Sequence, residues 1–307
     1  MDCASFLIHS YGRLYNRRYI PSFLLTPLRF IIRRIANKVI PWYYIKNRVE
    51  RDLMEDIAGN IVVSLTSFPK RINNVWIVIE SLIRQTIKPN KIILYLSKNQ
   101  FPSEESLPST LTSRLSNVFE IIFVEGDIRS HKKYYYSFKK YPSEYVVTVD
   151  DDIIYPPDMI ESLLKAINAN PNSVVGRYCL TMKYDGNGQL LPYNSWETDY
   201  DINSENAFLG TGGGTLFEPQ KLYEDTLKLN LAINLSPLAD DVWLNAMIRL
   251  SGQQIRIISK ELLLPIITKS DQRLTQINVY ENKNDEQISM VTQYYKDKIG
   301  VNPFEKR

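Results

Sequence analysis

The sequence predicts an α/β fold, a mainly parallel central sheet with flanking helices, preceded by a basic N-terminal extension. Three observations predict it. From residue 61 short β-branched runs alternate with helix-length stretches, the pattern of strands joined by crossover helices. The fourth run ends in three consecutive aspartates, a placement typical of ligand sites at strand carboxyl ends. Residues 1–51 carry ten Lys or Arg against Asp2 and Glu50, although the whole chain has a net charge of only +3. A length of 307 residues with 44% hydrophobic and 23% charged side chains suits a globular chain able to bury a sizeable core. Cys3 and Cys179 sit in no metal-ligand spacing and define no disulfide framework, so a reducing, cytoplasmic setting is the simpler expectation.

The extension, residues 1–58, mixes its cations with Phe6, Tyr15, Tyr19, Phe23, Phe30, Trp42 and Tyr43. Arg or Pro breaks every apolar run well short of the roughly 20 residues a membrane span needs. The charges recur throughout rather than at one end, so no secretory signal is read. Two readings fit. Basic plus aromatic is the composition of a segment lying on an anionic membrane surface; equally, it suits a helical extension packed on the following domain with its Arg side chains solvated.

Residues 59–152 read as a nucleotide-binding half. Its strands are IVVSLT (61–66), KIILYL (91–96), FEIIFV (119–124) and YVVTV (145–149). NNVWIVIESLIRQ, the Pro- and Ser-rich SEESLPSTLTSRL, and KKYYYSFKK connect them, each long enough to return the chain to the same edge. Residues 153–270 form a looser second half: a helix over 157–169, the extended VVGRYCLTMKY, a DGNG turn at 185–188, a glycine cluster at 210–214 and a helix from about 240 to 252. Residues 271–307 read as a C-terminal tail.

YVVTV reads as a strand buried on both faces, running directly into Asp150, Asp151 and Asp152. On extended backbone Asp150 and Asp152 would point the same way and Asp151 opposite. Adjacent carboxylates at the end of an apolar strand repel one another and resist desolvation unless a cation neutralises them. Hard oxygen ligands suit Mn2+ or Mg2+, which leave positions open for substrate phosphates. The competing reading, an N-cap for the helix near Pro156 and Pro157, needs one such residue rather than three.

VTVDDDIIYPPDMI resembles the D-x-D region of GT-A fold glycosyltransferases, particularly family-2-like bacterial enzymes and the exostosin-like group, over residues 59–270. The resemblance implies that Asp152 ligates a metal holding the donor diphosphate, with Asp150 near the ribose or a metal-bound water and Asp151 among the nucleotide-binding residues. It also implies nucleotide contacts from VVSLTSFPKRI: Thr66 and Ser67 to base or ribose, Arg71 to phosphate. An ST-turn starting the next helix explains the same residues. The aspartate such enzymes often place after the second strand is missing from YLSKNQF, which leaves the base open.

In VEGDIRSHKKYYY, Asp127 is expected at the ribose or base and Lys133 at the diphosphate, where a cation offsets leaving-group charge; a solvated helix start is the alternative. His131 in that segment reads as structural. Gly212 and Gly213 in GTGGGTLF are expected as walls beside the donor sugar, since glycine lets backbone approach a ligand closely, or else as an ordinary turn. SPLADDVWLNAMIRLSG resembles the acid pair before the family's acceptor helix. Carried over, Asp241, with Asp240 beside it, removes the acceptor proton, or stabilises positive charge if configuration is retained. Acids in a first helical turn are favoured by the dipole in any case. No histidine follows His131, so the metal is expected to rest on Asp152, the diphosphate and water, or on a late acid such as Asp271.

The resemblance thus implies a metal-dependent hexosyl- or N-acetylhexosaminyl-transferase. Such an enzyme moves a sugar from a nucleotide sugar, a UDP-sugar first among them, to a hydroxyl on a glycan or lipid-linked glycan in surface polysaccharide synthesis. It would work in the cytoplasm or peripherally on the inner face of the cell membrane, with no nucleic-acid partner. Two rivals are a metal-dependent nucleotidyltransferase, against which SLTSFPKRI lacks the usual glycine-rich loop, and a non-catalytic glycan-binding module on the same fold.

Overall fold

The structure, a computed structural model, describes residues 2–15, 21–49, 60–198, 205–259, 261–267 and 283–307. Asp271 and the expected boundaries at 58/59 and 270/271 lie outside the described residues. The extension forms α1 (Cys3–Arg13) and α2 (Ser22–Lys46). The first half runs β1 (Ile61–Thr66), α3 (Val75–Ile83), β2 (Lys91–Ser97), α4 (Ser109–Thr112), β3 (Phe119–Val124), α5 (Lys132–Lys140) and β4 (Tyr145–Val149). Next come β5 (Ile153–Ile154), α6 (Met159–Ala169), β6 (Ser173–Gly176), β7 (Cys179–Thr181), β8 (Ala207–Leu209) and β9 (Gly213–Phe217). The chain continues through α7 (Leu229–Leu235), α8 (Asp240–Leu250), β10 (Gln254–Ile257), β11 (Leu264–Pro265) and α9 (Lys283–Ile299).

A seven-stranded sheet has the order β10-β6-β9-β4-β1-β2-β3. The pairs β1/β2, β2/β3, β1/β4 and β6/β10 are parallel, whereas β9 runs antiparallel between β4 and β6. The four predicted strands are continuous β-branched runs because both faces of a parallel sheet are covered by helices. In β4, Val147 and Val149 enter the core shared with α3 and α6, while Val146 enters the core shared with α5 and α8; all three are fully buried. Each such valine contributes about 1.5–3 kcal/mol of burial free energy, which secures the strand that carries the aspartates.

After β3 the chain crosses back to place β4 on the other side of β1. The strand order therefore reverses between β1 and β4, the point where open α/β sheets leave a ligand crevice outside the strand carboxyl ends. Thr66, Ser67 and Asp150 stand at that opening. The glycine cluster is not a free turn: its second part starts β9, an inner strand.

The extension packs on the rest of the chain. Leu262 N–H donates to Gly12 O at 3.0 Å, Asn37 Nδ2 donates to Pro265 O at 3.0 Å, and Ile267 N–H donates to Asn37 Oδ1 at 2.8 Å. Among the described residues no helix is long and apolar enough to cross a membrane. The stretch expected as a tail contributes α9, whose Ile288, Val291 and Tyr295 share a core with Trp243 of α8. Gln287 Oε1 accepts from the Leu238 and Ala239 amides at 2.8 and 3.1 Å, fixing the approach to α8.

Candidate active site

The acidic triplet starts where β4 stops. Strand pairing between β4 and β9 shifts register between Thr148 and Val149, and Asp151 and Asp152 lie in a turn before β5. Strand alternation consequently does not carry through the triplet, which corrects the expected pairing of Asp150 with Asp152. Arg71 instead joins the other two: Nη1 lies 2.7 Å from Asp151 Oδ1 and Nη2 lies 3.0 Å from Asp152 Oδ2. Asp150 is held by Lys133, with Nζ 2.9 Å from Oδ1. Nor does the triplet cap a helix, since α6 begins only at Met159.

Lys133 connects two motifs far apart in sequence. Its Nζ also lies 3.0 Å from Asp240 Oδ2, so one buried ammonium bridges the end of β4 and the start of α8. Desolvation favours the neutral amine, but Asp150, Asp240 and Asp241 together overcome it and hold the Lys133 pKa above the ordinary lysine range. Burial likewise opposes ionisation of Asp240, yet the charge of Lys133 wins and holds its pKa below the ordinary value. Asp241 fares oppositely: burial first, then the neighbouring Asp240 charge, pushes its pKa up to about 7.

Thr211 orients the pair. Its amide donates to Asp241 Oδ1 at 2.8 Å, and its hydroxyl lies 2.5 Å from that oxygen and 3.0 Å from Asp240 Oδ2. Its carbonyl accepts from Thr148 Oγ1 at 2.6 Å, which ties the loop before β9 to β4. Tyr155 fastens the same junction by accepting from Asp150 N–H at 2.7 Å and donating to Gly212 O at 2.5 Å. Neither Thr211 nor Tyr155 stood out in the sequence: Thr211 is hidden inside a glycine cluster, and Tyr155 is one aromatic in an apolar run.

Thr66 Oγ1 donates to Tyr95 O at 2.8 Å across the β1–β2 pair. Ser67 Oγ donates to Asp151 Oδ2 at 2.5 Å, so Ser67 and Arg71 both hold the triplet rather than standing apart from it. Despite these partners, burial raises the Asp151 pKa above the ordinary carboxylate value. Asp127 bonds to Lys132, to Gln100 Nε2 at 2.8 Å and to the Arg129 amide at 2.9 Å, a separate cluster on the loop after β3. His131 is buried, with Nε2 2.6 Å from Ser236 O and Nδ1 3.1 Å from the Tyr134 hydroxyl, and burial lowers its pKa.

Gly212 touches the triplet itself: a Cβ there would lie 1.9 Å from Asp150 Cγ. Gly213 lies against Tyr178 instead, where a Cβ would meet the Tyr178 Cβ at 2.7 Å. Gly212→Ala is therefore expected to drive Asp150 off Lys133. Steady-state assays should show a loss of activity of about 10²-fold, the scale of an ångström-size misplacement. Thermal melting should show a cost of about 1–3 kcal/mol from local overpacking.

Asp150 and Asp152 fit a divalent cation of the Mg2+ or Mn2+ kind. Both supply hard oxygens, their side chains are 43% and 26% exposed, and each now faces a protein cation whose charge such an ion would supplement. Among the described residues no group of three or more His, Cys, Asp or Glu is arranged to hold a metal. The arrangement suits an ion that takes one or two carboxylates and completes its shell with phosphate oxygens and water.

Comparison with known proteins returns one family profile, glycosyl transferase family 2, over residues 70–223. No curated protein matches the sequence. Among solved structures, a mannosyltransferase from Pyrobaculum calidifontis in complex with GDP-Man and Mn2+ is similar at 12% identity and TM-score 0.49, covering 90% of this chain and 77% of that one. TarS of S. aureus in complex with UDP-GlcNAc is similar at 10% identity and TM-score 0.46, covering 79% and 73%. A 4-diphosphocytidyl-2C-methyl-D-erythritol synthase from Anaerococcus prevotii is similar at 14% identity and TM-score 0.47, covering 73% and 98%. The family profile spans half of the chain and includes the β4 aspartates, Lys133 and the glycine cluster; the chain belongs to glycosyl transferase family 2.

Proposed function

We propose that the chain transfers a hexosyl or N-acetylhexosaminyl group from a nucleotide sugar, most simply a UDP-sugar, to a hydroxyl of a glycan or lipid-linked glycan. The observation that carries this reading is the single ammonium of Lys133 between Asp150 and Asp240, which gathers the acids after β4 and the acids opening α8 into one site at the sheet's switch point. One side of that site offers Asp150 and Asp152 to a diphosphate-bound Mn2+ or Mg2+, which when bound would offset charge on the leaving diphosphate. The other side offers Asp241, the acid with a pKa near operating pH.

Thr211 holds Asp241 through Oδ1, and in this reading the Asp241 carboxylate takes the proton of an acceptor hydroxyl. The acceptor oxygen then forms the bond to the sugar C1 as the C1–O bond to the nucleoside diphosphate breaks. Arg71 keeps Asp151 and Asp152 in place beside the leaving group, and Lys133 keeps Asp240 ionised beside the base. The reading extends to an acceptor carried at the inner face of the cell membrane, with the enzyme peripheral there.

Incubating the protein with a panel of UDP- and GDP-sugars, with Mn2+ or with EDTA, tests the reading. Slow release of nucleoside diphosphate from at least one donor, abolished by EDTA, is expected. Turnover of a nucleoside triphosphate and sugar phosphate to pyrophosphate would instead mark a nucleotidyltransferase, and inertness toward every donor and acceptor would mark a binding module.

A further inference from the structure

Helix α2 has two unlike faces. Leu25, Ala36, Ile40 and Tyr44 are buried against the rest of the chain. Phe23, Phe30, Ile31, Ile35, Trp42 and Ile45 are exposed, Phe23 by 74%, Ile45 by 62% and Trp42 by 60%. Arg34, Lys38 and Lys46 are exposed as well, and the Arg34 guanidinium lies 4.7 Å from the centre of the Phe30 ring. At 100° per residue these nine positions fall within a stripe of about 160°, so the apolar groups and the cations share one side of the helix. Large apolar side chains gathered on one exposed face need an occupant.

We propose that this face of α2 docks on an anionic membrane surface. Charge selects that occupant. Helix α2 contains no Asp or Glu, so a two-fold contact of the face with its own copy would set Arg34, Lys38 and Lys46 against like charges. Anionic headgroups complement them, while the apolar side chains enter the acyl boundary and the long cationic side chains reach back to the headgroups. Trp42 has the amphipathic ring that favours this interface.

Docking here brings the membrane near the candidate site. Asn37 on α2 grips Pro265 and Ile267 by hydrogen bonds of 3.0 and 2.8 Å, and Ile266 N–H between them donates to Asp152 O at 2.7 Å. The helix is thus braced to the backbone of the acidic triplet through a single short strand. Such an arrangement suits an acceptor presented at the lipid surface.

Sedimentation of the full chain with phosphatidylcholine vesicles, with and without about one-third phosphatidylglycerol, tests the proposal. The protein should sediment with the anionic vesicles and largely stay in solution with the neutral ones. Ile31→Asp with Ile35→Asp should abolish binding, and Arg34→Gln with Lys38→Gln should weaken it on the order of 25-fold, about fivefold per cation. All four side chains are solvent-facing, so circular dichroism and melting of both variants should match the parent. Equal binding by the parent and the Asp variant, or no binding of the parent to anionic vesicles, overturns the proposal. So does a dimer in light scattering that the Asp variant dissolves while vesicles are ignored. Nucleotide-sugar turnover is measured separately, so failure of this proposal and failure of the transferase reading remain distinguishable.

Discussion

Asp241→Asn is expected to lower kcat by about 10²–10⁴-fold, the range attributable to a positioned general base. The amide keeps the shape of the side chain and can still accept from Thr211, but it cannot take a proton. With the Asp241 pKa at about 7, activity of the parent should rise as pH increases through that value, because the base works only when deprotonated. The variant should lose that rising limb. Stability should move the other way. A carboxyl whose folded-state pKa exceeds its unfolded value binds its proton more tightly when folded, so its contribution declines as pH rises from about 4 to about 7. Asp241→Asn removes that decline and should melt no lower than the parent at pH 8, which separates lost chemistry from lost folding.

Lys133→Met is expected to have the largest effect on stability. It strips the only cation bonded to both Asp150 and Asp240 among the described residues, leaving a buried Asp240 uncompensated. Breaking a buried pair from one side costs about 3–5 kcal/mol, or roughly a 10 °C fall in Tm for a chain of this size. The sign with pH is fixed by the same pair. In the parent, Asp240 has a lowered pKa, so its contribution is present above the unfolded carboxylate value and is lost as pH falls through the lower folded value. In the variant Asp240 would bind its proton more tightly when folded, so the gap to the parent should widen as pH rises above about 4 and narrow toward acid. Adding Asp240→Asn to Lys133→Met should restore most of the stability, since the stranded charge is gone, without restoring activity. Thermal melts of the parent, Lys133→Met and the double variant across pH read the stability outcomes, and steady-state assays of the same three proteins read the activity.

The first half of the fold was legible because its signal is strong and local. IVVSLT, KIILYL, FEIIFV and YVVTV are strands in the structure, each fed by a parallel sheet that demands apolar residues on both faces. The helix opening at Asp240 also stood out by its amphipathic spacing. Other elements were concealed by composition. Gly212 just before β9, and Gly213 and Gly214 that open it, look like a turn, yet they allow Asp150, Tyr178 and Met159 to press against the backbone there. Helix α9 buries Asn284, Gln287, Ile288, Val291 and Tyr295 at helical spacing, but two of those five are polar amides, which blurs the apolar stripe.

The site divides in the same way. Its carboxylates were readable, because acids at the end of an apolar strand and at the first turn of a helix are conspicuous. Their partners were not. Arg71 and Lys133 were expected at phosphates, and the structure gives them to aspartates, since a crowded set of carboxylates recruits the nearest cations when it folds. Spacing in sequence conveys charge type, and only the crossover from β3 to β4 decides which charges meet.

A crystal structure of the protein grown with Mn2+ and UDP tests the central claim most directly. The account predicts one ion about 2.1 Å from carboxylate oxygens of Asp152 or Asp150 and from the diphosphate, with the nucleotide lying along the carboxyl ends of β1 and β4 and Asp241 facing the space beyond the terminal phosphate. An ion and nucleotide bound elsewhere, with Asp150 still on Lys133 and Asp152 still on Arg71 and no ligand between them, would contradict it.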